Sequence, residues 1–224
     1  MYNYQPPIRN GLLGKGQSLI KVTGDGELAV QPDTASVNLG VITENKELIT
    51  AQQQNSQEST KVINSLLSLG IPHSHVQTFD YRIESDYDYE QGKQIFRGYK
   101  ITHILQVKIE DLSIIGKVVD TGVENGVNYV SNIQFKVKNK DSYYHQALTL
   151  AINNAIEKAK TIAAALNVTL VQTPSLIIEG GAVAQPFYHQ PETLVKGISS
   201  TQFEPGQILV KASIVAEFHY LPTH

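Results

Sequence analysis

Residues 141–166 read DSYYHQALTLAINNAIEKAKTIAAAL, and their spacing decides the fold. Ala147, Ala151, Ala155, Ala159 and Ala163 recur every four residues, with Leu148, Ile152, Ile156 and Ile162 beside them. Positions four apart stack on one face of a helix, so the run predicts a long helix with a stripe of small side chains. Such a stripe lets the helix backbone lie close to whatever it covers. Asp141 is the expected N-cap, and Asn167 tolerates the left-handed conformation that ends a helix.

Working outward, the flanking segments change period from about four to two. Residues 128–138 read as a strand with Ile133, Phe135 and Val137 inward, and residues 169–179 read as another. Residues 207–220 alternate strictly through Ile208, Val210, Ala212, Ile214, Ala216, Phe218 and Tyr220. Near the start, Ile20, Val22, Leu28 and Val30 share one strand face, with Gly24 and Gly26 between them. Gln31-Pro32-Asp33 is a turn signal, and Ala35, Val37, Leu39 and Val41 follow on a second strand. The two are expected to pair as a β-hairpin.

A second long helix is expected over 45–69, where Leu48, Ala51, Asn55, Ser59, Val62, Leu66 and Leu69 keep helical spacing. Gly70 and then Pro72 supply its stop. Residues 76–89 and 94–109 read as a hairpin around Glu90-Gln91-Gly92-Lys93. Its return strand places Ile95, Tyr99, Ile101, Leu105, Val107 and Ile109 on one face. Asp111 caps a short helix through Leu112, Ile115, Val118 and Val119, ending near Gly126.

The resulting order is ββαββ-αβαββ. It predicts an α+β fold with a mostly antiparallel sheet, one short helix, and two long helices packed on the one sheet. Residues 1–17 read as a flexible N-terminal tail, 18–222 as the folded domain, and 181–205 as a long loop rich in Gly, Pro and Gln.

Composition narrows the chemistry. None of the 224 residues is cysteine, which excludes disulfides, thiolate nucleophiles and cysteine-based metal sites. With 18 basic and 21 acidic side chains, the formal charge of −3 gives no electrostatic reason to bind nucleic acid. No stretch approaches the ~20 apolar residues of a membrane-spanning helix. Pro6, Pro7, Arg9 and Asn10 interrupt any apolar export signal near the start. As written, the chain reads as soluble and cytoplasmic; the alternative is an envelope or secreted location.

Several constellations bear on function. Gly24-Asp25-Gly26 lacks the third glycine and following helix of a dinucleotide loop; close backbone contact within a strand explains it better. His73 and His75 would share a strand face, but two rings do not make a zinc site, and solvated loop histidines are the expectation. Glu84, Asp86, Asp88 and Glu90 fall on one face of the hairpin tip, with Tyr81, Tyr87 and Tyr89 on the other. The acids suit a solvated edge and the tyrosines a partner contact. No G-x-S-x-G segment marks a catalytic serine.

The chain resembles the SIMPL-domain family, which includes bacterial periplasmic immunogenic proteins and a mammalian signalling protein that binds a Pelle-like kinase. The resemblance runs in order through Val22-Thr23-Gly24-Asp25-Gly26 with Pro32-Asp33, then Ala51, Asn55 and Leu69-Gly70-Ile71. Gln77-Thr78, the helix through Lys158-Ala159 to Ala163, and Pro205-Gly206 complete it, over roughly residues 19–220. Two features depart from the family: His75 stands where Asp is frequent, and the export signal of many bacterial relatives is lacking. The resemblance implies an α+β fold able to form homo-oligomers, with links to stress tolerance or signalling. It implies no established reaction, and so no catalytic, cofactor-binding or metal-binding residue.

The expected function is therefore a non-enzymatic, self-assembling protein with a stress-related or signalling/scaffold role. Tyr81, Tyr87 and Tyr89, with Gln53 and Asn55 of the polar helix, are the expected oligomer or partner contacts. The alternative is a small-ligand binder or enzyme with a pocket near the 181–205 loop, using Gln185, Tyr188 and His189.

Overall fold

The computed structural model describes residues 18–90, 92–131, 133–180 and 202–222. The described residues form two compact units: 18–28 with 141–180 and 210–222, and 29–140 with 202–209. The tail at 1–17 and most of the 181–205 segment lie outside the described residues.

Nine strands and three helices are described, in antiparallel sheets as expected for α+β. Strands β1 (Leu19–Val30) and β2 (Thr34–Asn45) precede helix α1 (Leu48–Ser68). A long hairpin follows, β3 (Val76–Glu90) and β4 (Lys93–Ile109). Then come α2 (Ile115–Glu124), β5 (Tyr129–Val130), β6 (Gln134–Lys136) and α3 (Lys140–Ala165). The chain closes with β7 (Val168–Leu170), β8 (Leu176–Gly180) and β9 (Ile208–Pro222). The strands expected at 128–138 and 169–179 are each split in two. The Ser131 N–H donates to the Asn38 carbonyl just past β5, and Pro174, which lacks an N–H, falls in the second break.

The expected β1–β2 hairpin is a correction. β1 pairs with β9, whereas β2 belongs to the other sheet, ordered β3-β4-β2-β5 with β6 also beside β2. The reason is occupancy of the edges of β2. β4 pairs along Ala35 to Asn45 on one side, and β5 and β6 fill the other. Asp33 seals the corner: its N–H donates to the Lys136 carbonyl, and its carboxylate accepts from the Lys138 N–H. Gln31-Pro32-Asp33 therefore hands the chain from one sheet to the next rather than reversing it. A second correction follows, since the two long helices lie on different sheets.

In the unit that holds α3, the alanine stripe and the two glycines explain each other. Ala147, Ala151, Ala155, Ala159 and Ala163 are the buried residues of α3. A side chain on Gly24 would come within 2.1 Å of the Ala151 carbonyl oxygen, and one on Gly26 within 2.0 Å of that of Ala147. The strand backbone thus lies directly on the helix backbone. Around the rim, the Asn154 side chain accepts from the Asp25 N–H, and Lys158 donates to the Thr23 carbonyl. Asn167 ends the helix with φ 51°, in the left-handed region.

In the unit that holds α1, the core is conventional. Val37, Leu39 and Val41 of β2, Leu105, Val107 and Ile109 of β4, Val62 and Leu66 of α1, and Ile115 and Val118 of α2 are all buried together. The Asp111 carboxylate accepts from the Ser113 N–H at the lead-in to α2, as its capping role requires. Gly70 takes φ 89° just past the end of α1.

Candidate functional site

The polar middle of α1 has an internal purpose. Asn55 and Ser59 sit on the buried column with Ala51, Val62 and Leu66, as their spacing predicts. Asn55 is only 1% exposed; its amide donates to the Val41 carbonyl at 2.8 Å and lies 3.4 Å from that of Ile101. One side chain thus hooks the helix to two neighbouring strands. Asn55 is a correction as a contact residue, because burial keeps it from any partner. Gln53 is exposed on the opposite side of the helix.

The polar chain continues outward. The Ser59 hydroxyl lies 3.4 Å from the Asn55 amide oxygen and 3.0 Å from Nδ1 of His103 on β4. Nε2 of His103 is 3.1 Å from the Thr78 hydroxyl on β3. Tyr81 meets the imidazole edge-on, with ring centroids 5.3 Å apart. Burial pushes the His103 imidazole below its ordinary value. The Ser–His pairing resembles half of a nucleophilic device, but Ser59 is 3% exposed and the second ring nitrogen faces a hydroxyl, not a carboxylate. What the arrangement does is tie β3, β4 and α1 together at the root of the hairpin.

Beyond that root the hairpin runs on past the start of α1. Phe79 is an extra residue between the pairs Thr78↔Leu105 and Asp80↔Ile104, a bulge that brings Thr78 and Tyr81 to the same face. From there Tyr81, Ile83, Tyr87 and Tyr89 share the face that nearer the root is core, and the acids share the other, as expected. A second bulge at Arg97, between the pairs Asp86↔Gly98 and Tyr87↔Phe96, shifts β4. It brings Phe96 to the tyrosine face, 5.6 Å from Tyr87 and 5.2 Å from Tyr99 between ring centroids. Strict alternation placed Ile95 on that face; it lies opposite Asp88 instead, on the acidic side. Gly98 was the available signal, since a glycine inside a strand marks a bulge or close approach. A side chain there would come within 2.7 Å of the Asn45 carbonyl oxygen.

The tyrosine face is open to solvent: Tyr81, Ile83, Tyr87 and Phe96 are each 45% exposed and Tyr89 is 71% exposed. Tyr81, Tyr87 and Tyr89 are thus brought together. Gln185, Tyr188 and His189 lie outside the described residues. His73 and His75 form a short 3-10 turn, with His75 Nε2 3.9 Å from Glu110. Lys108 and Lys138 hold the Glu110 carboxyl down to about 2. Among the described residues no group of three His, Asp or Glu is arranged to hold a metal ion, and no helix is long and apolar enough to cross a membrane.

These features define an α+β protein of antiparallel sheets with an exposed aromatic hairpin. The chain belongs to the SIMPL family, described as a protein of unknown function (DUF541), which it matches over residues 20–218. It is 33% identical over 156 residues to the 26 kDa periplasmic immunogenic protein of Brucella melitensis biotype 1, covering 67% of this chain and 62% of that protein. The same figures hold for the protein of that name in Brucella abortus strain S19. It is 27% identical over 144 residues to the uncharacterized protein YggE of Escherichia coli strain K12, covering 64% of this chain and 58% of that protein. The match spans less than two thirds of the length of these relatives.

Proposed function

We propose that this protein is a non-enzymatic, self-assembling scaffold with a stress-related or signalling role, and that the β3–β4 hairpin makes the contact between copies. The observation that carries the reading is the tyrosine face, where five neighbouring large side chains are 45% exposed or more. Soluble monomers rarely leave contiguous apolar surface open unless something covers it. Tyrosine and phenylalanine are also enriched where proteins meet. The Brucella relatives are named as periplasmic proteins, which supports a periplasmic setting over a cytoplasmic one.

Light scattering after size exclusion tests the proposal. A species larger than one chain is expected at tens of micromolar protein. The double substitution Tyr87→Ser with Tyr89→Ser should shift it toward monomer without unfolding, since both side chains are exposed. A parent that stays monomeric sinks the reading.

A further inference from the structure

Resting on that reading of self-assembly, we propose that the contact is made strand to strand: the free edge of β3 pairs antiparallel with β3 of a second copy about a two-fold axis at Ser85. The sheet order leaves β3 at an end, paired with β4 over its whole length and with no other strand on its outer side among the described residues. Unpaired strand edges are templates for another chain, and proteins normally blunt them. β1 shows such blunting, because Asn154 and Lys158 occupy its outward backbone groups at Asp25 and Thr23. Between Val76 and Asp88 no side chain among the described residues bonds to the backbone of β3 in that way.

The occupant follows from the strand's own sequence. Between Asp80 and Glu90 β3 has no extra residue, since its bulge lies at Phe79 and the other bulge lies on β4. The midpoint of that regular stretch is Ser85. Pairing it with itself places Tyr81 opposite Tyr89, Ile83 opposite Tyr87 and Ser85 opposite Ser85 on one face. Aromatic–aromatic and aromatic–β-branched pairs are the favourable cross-strand contacts. On the other face, Arg82, the only cation of the strand, meets Asp88 of the second copy, twice by symmetry. The two tyrosine faces become one continuous surface. Two like-charge meetings remain, Glu84 with Asp86 and Asp80 with Glu90, each twice by symmetry, and they make the pairing sensitive to ionic strength. Association should tighten several-fold as salt rises from about 0.02 to about 0.2 M, because screening weakens that repulsion.

The chain has no cysteine, so Ser85→Cys is a clean reporter at an exposed position. Directly opposed residues on antiparallel strands lie about 4.5–5.5 Å apart, within disulfide reach. Mild oxidation should convert most of the Ser85→Cys protein to a covalent dimer, while the exposed control Ser56→Cys stays mostly single. Ile83→Asp should raise the concentration at half-association at least tenfold. An oligomer by light scattering with no more cross-linking at Ser85→Cys than at Ser56→Cys, or with Ile83→Asp unchanged, overturns edge pairing and leaves self-assembly standing. A monomeric parent overturns both.

Discussion

Helices α1 and α3 each lie on a sheet, and opposite means hold them there. α3 approaches by subtraction: alanines on the helix and glycines on the strand remove every side chain between two backbones. α1 approaches by addition, with Asn55 filling the gap and bonding to carbonyls of two strands. A backbone-to-backbone contact has no side chain that can move aside, so it tolerates no growth. A side-chain hook tolerates changes of volume better, but its removal strands buried polar groups. The contrast also explains two different sequence textures, one alanine-rich and one rich in Gln, Asn and Ser, on helices doing the same architectural job.

The largest expected effect breaks the first contact. Gly26→Ala puts a methyl within 2.0 Å of the Ala147 carbonyl oxygen, so the helix must shift. Overpacking of this kind costs about 3 kcal/mol. Urea unfolding that shows no loss would mean that the helix does not lie directly on β1.

Breaking the hook should cost somewhat less. Asn55→Leu keeps the volume but removes the donor to the Val41 and Ile101 carbonyls. A loss of about 2 kcal/mol in the same assay is expected, within the range for an unsatisfied buried polar group. A neutral result would reduce Asn55 to space-filling.

The smallest effect sharpens the comparison, because only the α1 contact contains a titratable group of this kind. Burial holds the His103 imidazole below its ordinary value of about 6.5, so the unfolded chain takes up a proton before the folded one does. Stability is then fully present above pH 6.5 and falls as pH drops through the window between that value and the lower folded one. His103→Gln should flatten this part of the stability–pH curve. An identical slope in parent and variant would remove His103 from the account.

Local patterns made much of this legible. The four-residue repeat of alanines gave α3 and its buried stripe, and the column through Ala51, Asn55, Ser59, Val62 and Leu66 gave the inner face of α1. The hairpin and its separation of tyrosines from acids were also readable, because alternation persists along β3 past Phe79. The same column that fixed the inner face of α1 also placed Asn55 inside. The broad polar surface of the helix, read by itself, points instead to a contact role for it. Phe96 escaped because one extra residue at Arg97 reverses the parity of everything beyond it.

Sequence alone therefore determined the inward face of each element wherever its period runs unbroken, since periods of two and about four are properties of the local backbone. Only the tertiary structure decided which strand lies beside which. β2 follows β1 by a three-residue turn and still does not pair with it, because β4, β5 and β6 already occupy both edges of β2. Ser59 and His103, 44 positions apart, meet for the same reason. Edge occupancy and long-range proximity depend on every other strand in the sheet at once, and no local period encodes them.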